Sequence, residues 1–369
     1  MRVRGISVLV GLMLLFGGVA WGQQQADPDP VVPEATVPAA VQHAFEQGRD
    51  LEKRQQLTGA VDSYQAAVKA ASGRCDGCME AILRTQMKME DFKAAAGTAA
   101  MMARSAPDAK AKAQAEKREG LAIYEQYFAQ SEGRGGVDKN PKKAADSLKQ
   151  AEAVLAQSVA DDASDEPIRM LHARVMAAQK RDEDASKEFA ACAATPGTSE
   201  QECARALRFA KDVGIARNEP APAFKLKAMD GSDVTLDKLA GKIVLVDFWA
   251  TWCPVCRRDS DYIQTTVDAF DPQKFVLLEV DAHEEESRWK QYVADQRLEG
   301  LQTRDNGEVA DAFHVGGYPT YVVLDGDGIV RMRAVGIEGD LKGEVKKLLQ
   351  EQKAADDDKR VPLPKSGAE

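Results

Sequence analysis

The run Ile243-Val244-Leu245-Val246-Asp247-Phe248-Trp249 is followed almost at once by Trp252-Cys253-Pro254-Val255-Cys256. A short, nearly continuous apolar run reads as a buried strand. A Cys-x-x-Cys just beyond such a strand is the layout of a thiol–disulfide redox site. The layout needs a strand to deliver the first cysteine to a helix N-terminus. There the unpaired N–H groups and the helix dipole favour a thiolate, which is the attacking species in disulfide exchange.

The rest of the composition fits around that site. A chain of 369 residues has room for two domains, and 29% charged with 44% hydrophobic residues fits globular folding. The net charge of -10 argues against nucleic acid as a partner, because phosphate binding needs a basic face. Residues 1–22 read as a signal peptide: Arg2 and Arg4 precede the apolar stretch from Gly5 to Ala20, and Ala20-Trp21-Gly22 offers small residues for cleavage before Gln23. The apolar stretch is shorter than the roughly 20 residues of a spanning helix, so a membrane anchor is the lesser alternative. No cysteine follows it and the two arginines are not adjacent, which argues against a lipoprotein and a twin-arginine signal. The expectation is an exported, periplasmic or otherwise extracytoplasmic protein, soluble after cleavage, in a compartment where disulfides persist. Six cysteines in three neighbouring pairs agree with that: Cys75 with Cys78, Cys192 with Cys203, and Cys253 with Cys256.

Beyond a Gln- and Pro-containing flexible linker at 23–40, composition changes twice. Residues 41–215 are rich in Ala, Glu, Lys, Gln and Leu and lack strand-like runs, which predicts helical hairpins. Small and aromatic residues recur there: Gly48, Ala60, Tyr64 and Ala67; then Met79, Leu83, Ala95 and Pro107; then Gly120 and Tyr124; then Ala173, Ala185 and Phe189. This spacing resembles the tetratricopeptide repeat, in which small residues let two helices approach and an aromatic fills the groove to the next hairpin. An irregular helical bundle is the alternative. Asn218-Glu219-Pro220-Ala221-Pro222 marks a boundary. Residues 218–352 then alternate strand and helix patterns: a hairpin at Asp230-Gly231, strands Ile243–Trp249, Phe275–Asp281, Tyr321–Leu324 and Ile329–Ala334, and helices from about Pro254, Glu285 and Leu341. The fold class expected is multidomain, with N-terminal all-α helical-hairpin repeats and a C-terminal α/β domain. Residues 353–369, with Asp356-Asp357-Asp358 and two prolines, read as a disordered tail.

The stretch Gly241 to Cys253, together with Gly317-Tyr318-Pro319-Thr320, resembles the thioredoxin superfamily over the whole α/β domain. Ala221-Pro222-Ala223-Phe224, the Asp230-Gly231 hairpin and the helix-containing stretch between Asp281 and Arg304 are similar to its exported TlpA/ResA-like branch. The resemblance implies a thiol–disulfide oxidoreductase. Cys253 would be the nucleophile and the more exposed sulfur, and Cys256 the resolving thiol. Pro319 would be the cis-proline, with Tyr318 and Trp252 meeting substrate. Asp247 stands where thioredoxins bury a proton-relaying Asp; the Lys that thioredoxins place near it is not evident in Val276-Leu277-Leu278-Glu279. Asp259 stands where the exported branch often has Glu, and either tunes the thiols or is a solvated helix-face carboxylate. No metal is expected, since this domain has no second Cys/His pair to complete a ligand set. The redox-active disulfide is the only cofactor implied. The Pro254-Val255 dipeptide leaves the direction of electron flow open across a range of about 150 mV.

Cys75-Asp76-Gly77-Cys78 lies between helix patterns, and a structural disulfide is the first expectation, with free thiols or a redox relay as alternatives. Cys192 and Cys203 flank the Pro196-Gly197 turn, where a disulfide would clip two helices together. His43, His172, His283 and His314 form no ligand set, and Glu284-Glu285-Glu286 reads as a solvated helix start. The partners expected are protein thiols and disulfides, an upstream electron donor and a protein bound by the helical repeats. Two other readings compete: an interaction scaffold carrying a redox-inactive domain, and a thiol peroxidase. The latter family places Thr three residues before its cysteine, where this chain has Ala250.

Overall fold

The computed structural model describes residues 38–133, 137–222, 224–282, 284–336 and 340–359. The expected signal peptide, all but the end of the linker, and residues 360–369 of the expected tail lie outside the described residues.

Nine consecutive helices make up the first part of the described chain: α1 (Ala39–Lys53), α2 (Leu57–Ala70), α3 (Asp76–Lys88), α4 (Phe92–Ser105), α5 (Ala109–Glu132), α6 (Pro141–Asp161), α7 (Glu166–Ala178), α8 (Asp182–Ala193) and α9 (Glu200–Lys211). Their starts are written locally. Asp91, Asp108, Asn140, Asp165 and Ser199 each accept an N–H from the first turn of the helix they precede. Each helix packs on its chain neighbour. Small residues sit where the helices approach. A Cβ on Gly48 would stand 2.5 Å from the Tyr64 ring, and one on Gly120 would stand 2.5 Å from Leu155. Ala60, Ala67, Ala95, Ala173 and Ala185 are fully buried, as are Tyr64 and Phe189. With 24 and 21 residues, α5 and α6 exceed the helix length that a repeat of about 34 residues accommodates.

The second part is one seven-stranded sheet with helices on it. Its strands are β1 (Lys225–Ala228), β2 (Asp233–Thr235), β3 (Ile243–Trp249), β4 (Phe275–Ala282), β5 (Leu301–Asp305), β6 (Thr320–Leu324) and β7 (Val330–Val335). Its helices are α10 (Pro254–Val267), α11 (Glu286–Gln296), α12 (Glu308–Ala312) and α13 (Leu341–Lys359). The order across the sheet is β2-β1-β5-β4-β3-β6-β7. The β3–β4 and β4–β5 pairs are parallel; β3–β6, β6–β7, β1–β2 and β1–β5 are antiparallel. All seven residues of β3 are buried, because both edges of the strand are paired and both faces are covered. On one face Ile243, Leu245, Leu277 and Val323 meet Ile263 of α10 and Leu341, Val345 and Leu348 of α13. Helix α13 extends to Lys359, so residues 353–359 are helical where a tail was expected.

The two parts touch. Phe209, Val213 and Ala216 share an apolar cluster with Ile329. Around it Arg208 Nε donates to Asp327 at 2.9 Å, and Arg174 Nη2 donates to the Asn218 carbonyl at 2.6 Å. A second tie joins Glu90, between α3 and α4, to His314 Nδ1.

One expected disulfide is corrected: Cys192 and Cys203 are both free. Cys192 is turned toward α7 instead, where its thiol donates to Glu166 Oε1 at 3.0 Å in a fully buried position. Cys75 and Cys78 are joined, with Cα atoms 5.2 Å apart.

Candidate active site

Strand β3 ends in the interior, and buried Ala250 and Thr251 turn the chain toward α10. Cys253 is the N-cap of that helix, and the N–H of Cys256 points at its sulfur from 3.1 Å. Pro254 occupies the first turn, where its missing N–H costs nothing. The two cysteines are joined in a disulfide, Cα to Cα 5.3 Å.

Loop His314–Pro319 closes over the pair. The Tyr318–Pro319 peptide bond is cis. The Tyr318 carbonyl oxygen lies 3.7 Å from Cys253 Sγ. Trp252 is 54% exposed and Val255 37%, which leaves an apolar rim beside the disulfide. The Trp252 and Tyr318 rings meet edge to face, 6.0 Å between centroids. The structure thus brings Trp252, Cys253, Cys256, Tyr318 and Pro319 together. Both cysteines are buried as whole residues, Cys253 4% exposed and Cys256 7%. Cys253 lies beneath the Tyr318 loop and packs with Trp249 and Ala250, which covers it as fully as its partner.

A row of buried polar side chains crosses the sheet on the face that α10 covers. Tyr321 on β6, Asp247 on β3, Glu279 on β4 and Gln302 on β5 are successive register partners. All four are buried. Burial pushes the Asp247 carboxyl far above the ordinary carboxylate range, against a hydrogen bond from Glu279 that favours its ionised form. Burial pushes Glu279 up as well, and the neighbouring Asp247 charge adds to it. Asp259, one helical turn beyond Cys256, is 2% exposed, so the solvated reading of this residue is overturned. Arg258 Nε donates to it at 3.0 Å.

A second acidic pair braces the other side. Glu284 accepts the Thr251 N–H at 2.5 Å and also the Thr251 hydroxyl, tying down the loop that precedes Cys253. Asp281 is fully buried and lies 3.4 Å, Oδ1 to N, from the Glu284 amide. Burial, then the charge of Glu284, raises the Asp281 carboxyl. The expectation of a solvated run at Glu284-Glu285-Glu286 is therefore corrected at its first residue. Glu285 does serve as a helix start, accepting the Ser287 and Arg288 N–H groups as N-cap of α11. Glu279, Asp281 and Glu284 lie beside the site without any motif to mark them. The available signal was a carboxylate inside or just past an apolar strand run, where an ionised group is costly unless it has a task.

The AhpC/TSA family pattern matches residues 218–333, within the α/β part. Thioredoxin-like protein YneN of Bacillus subtilis is 30% identical over 129 residues, which is 34% of this chain and 75% of YneN. Thiol-disulfide oxidoreductase ResA of Bacillus cereus is 28% identical over 129 residues, 35% of this chain and 75% of ResA. Among solved structures, a thioredoxin-family thiol:disulfide interchange protein from Chlorobium tepidum is 28% identical and covers 36% of this chain and 97% of its own, with a TM-score of 0.34. The α/β fold and these relatives define a thioredoxin-like thiol–disulfide oxidoreductase. The chain belongs to the TlpA/ResA-like group of the thioredoxin superfamily.

Proposed function

We propose that Cys253 and Cys256 are the redox-active pair of an extracytoplasmic thiol–disulfide oxidoreductase whose helical part recruits a protein partner. The observation that carries this reading is a helix-capping disulfide beside a cis-proline loop whose Tyr318 carbonyl faces Cys253. In the reducing direction, the Cys253 thiolate attacks a substrate disulfide, and one substrate thiolate leaves. Cys256 gives up its proton, attacks Cys253 and releases the second substrate thiolate. Two electrons pass from the dithiol to the substrate, and an upstream donor restores the dithiol. The helix dipole and the Cys256 N–H favour charge on Cys253 before attack. The exposed Trp252 and Val255, with the half-buried Tyr318, supply apolar contact for an unfolded or extended protein segment. Asp247 is the acceptor for the Cys256 proton, and Asp259 acts on the same step from one turn away.

The export reading rests on residues 1–22. No helix among the described residues is long and apolar enough to cross a membrane. The domain limits 41–215 and 218–352, and the tetratricopeptide character of the first, are part of the same proposal. Buried small residues facing aromatics support it.

A disulfide-reduction assay on the full chain and on Cys253→Ser tests the reading. Loss of exchange is expected; full exchange by the variant overturns it and leaves the scaffold reading. The reduction potential of the pair then assigns direction: near -270 mV a reductant, near -120 mV an oxidant.

A further inference from the structure

Helix α3 ends in a tight turn whose residue Glu90 is left-handed, with φ 55°. The Glu90 N–H donates to the Met87 carbonyl and the Asp91 N–H to the Gln86 carbonyl, which closes the end of the helix. Such a position favours glycine, and a helix C-terminus favours a cation over a carboxylate. Glu90 breaks both local rules, so its reason lies elsewhere in the fold. Its side chain reaches out of the helical part to Nδ1 of His314. An ionised carboxylate only accepts, so a proton on Nδ1 makes this bond. The two side chains are 24% and 19% exposed, which screens the pair less than an ion pair in open water.

His314 is left-handed as well, with φ 54°, at the matching place beyond α12. Its N–H donates to the Asp311 carbonyl and the Val315 N–H to the Ala310 carbonyl, both at 2.9 Å. Nε2, on the other side of the ring, is 3.9 Å from a carboxyl oxygen of Glu219, in the segment that joins the two parts. Arg333 of β7 lies 3.7 Å from Glu219 and donates to the Phe313 carbonyl. His314 is also the first residue of the loop that carries the cis-proline and puts the Tyr318 carbonyl 3.7 Å from Cys253 Sγ. The far end of that loop is tied down: Thr320 Oγ1 donates to the Gly317 carbonyl at 2.7 Å, and the Gly336 N–H to the Pro319 carbonyl at 2.9 Å. Gly316 and Gly317 lie between the two ends, and their backbone freedom makes the path of the loop depend on its anchors.

On the redox reading of Cys253 and Cys256, we propose that Glu90 is a positioning residue for the substrate loop: through His314, the helical part sets where the Tyr318 carbonyl stands over the disulfide. The anchor divides the kinetics in two. Attack by the Cys253 sulfur draws on the start of α10, which Glu90 does not touch. Seating an extended protein segment draws on the loop, where Tyr318 offers a backbone acceptor and an apolar ring. A partner that drew the α3–α4 turn away from His314 would weaken substrate binding and leave the sulfurs as reactive as before.

The test compares two reactions of the full chain: reduction of insulin disulfides with dithiothreitol as donor, and alkylation of reduced Cys253 by iodoacetamide. Glu90→Ala should raise KM for insulin about fivefold, with kcat and the alkylation rate within about twofold of wild type. Glu90→Gln, which keeps an acceptor for Nδ1, should restore KM. His314→Asn, which tolerates the left-handed backbone, should raise KM as Glu90→Ala does, and the double variant should be no worse than either single one. Hydrogen exchange of residues 314–319 gives a measurement independent of turnover, and decides the matter if insulin is too slow a substrate for KM to be read. Exchange there should quicken in Glu90→Ala and stay unchanged along α10. An unmoved KM, additive effects of the two substitutions, or unmoved exchange in the loop overturns the proposal. Wild type that neither reduces insulin nor is alkylated at Cys253 would instead defeat the redox reading on which the proposal stands.

Discussion

Cys75 and Cys253 do the same local job. Each is the N-cap of a helix, and each receives the N–H of the cysteine three residues on, at 3.3 Å for Cys78 and 3.1 Å for Cys256. Each forms a disulfide with that cysteine, and the Cα separations differ by only 0.1 Å, 5.2 against 5.3 Å. Burial does not distinguish them either, since all four cysteines are under 9% exposed. The difference lies around them. Cys75 and Cys78 pack among Val41, Phe45, Tyr64, Ala81 and Ile82. Cys253 and Cys256 have an exposed Trp252 and Val255 beside them, a carbonyl from a cis-proline loop above, and buried carboxyls behind. A helix N-terminus lowers the cost of a thiolate at both places. On the proposed reading, the exposed side chains at the second place are where a substrate would sit and its buried carboxyls are where protons would go.

The largest test of that contrast is to remove each pair in turn. Cys253→Ser should bring disulfide exchange down to the uncatalysed background. Cys75→Ser with Cys78→Ser should leave kcat/KM within about twofold, because no group of the reaction is touched. If the double variant instead loses exchange, the Cys75 pair is part of the electron path and the contrast fails. Its removal should show in stability. By loop entropy alone, a bridge over a sequence separation of 3 is worth about 2 kcal/mol in unfolding free energy. Urea melts of the oxidised double variant and wild type measure it.

The next effect sharpens what the surroundings contribute. Glu284→Gln keeps the shape beside Thr251 but removes the charge from two hydrogen bonds to it. Bonds to a charged group are worth about 1.5–3 kcal/mol, so part of the loop's hold on Cys253 goes. Alkylation of Cys253 in the reduced protein should slow by roughly tenfold at neutral pH, the factor that about 1.4 kcal/mol produces. Unchanged alkylation would mean that the loop is held by packing of Trp249 and Ala250 alone.

What could be read beforehand followed the same division. Strand β3, helix α10 and the hairpin β1–β2 stand out because their apolar runs and turn residues are local signals. Strand β5, Leu-Gln-Thr-Arg-Asp, carries no such run; its place comes from pairing with β4 and β1, a long-range fact. Cys253, Cys256 and Pro319 announce themselves by motif. Glu279 and Glu284 do not, since their role comes from which residue lies across the strand or loop. A carboxylate in an apolar run is the trace they leave. Cys192 and Cys203 show the opposite failure: neighbouring positions suggested a bond, while side-chain direction put Cys192 against Glu166.

That third kind of cysteine gives the smallest and most specific test. Burial, followed by the charge of Glu166 and the bond to it, pushes the Cys192 thiol far above the usual thiol range. It should resist alkylation at a pH where the reduced active-site pair reacts. Burial also pushes Glu166 up to about 7, against the opposing hydrogen bond from Cys192. A carboxyl raised in the folded state binds its proton more tightly there than in the unfolded chain. Its contribution is fully present below the unfolded value of 4.5 and is lost as pH rises through about 7. Other raised carboxyls, Asp247 and Asp281 among them, give wild type a slope of the same sign, so the variant must be read as a difference. Glu166→Gln keeps an acceptor for Cys192 and removes the titration. The gap between wild type and variant in unfolding free energy should change by about 2 kcal/mol between pH 5 and pH 8, with wild type losing ground at the higher pH. A gap independent of pH would mean that Glu166 is ionised throughout, and that Cys192 is held by packing rather than by a protonated partner.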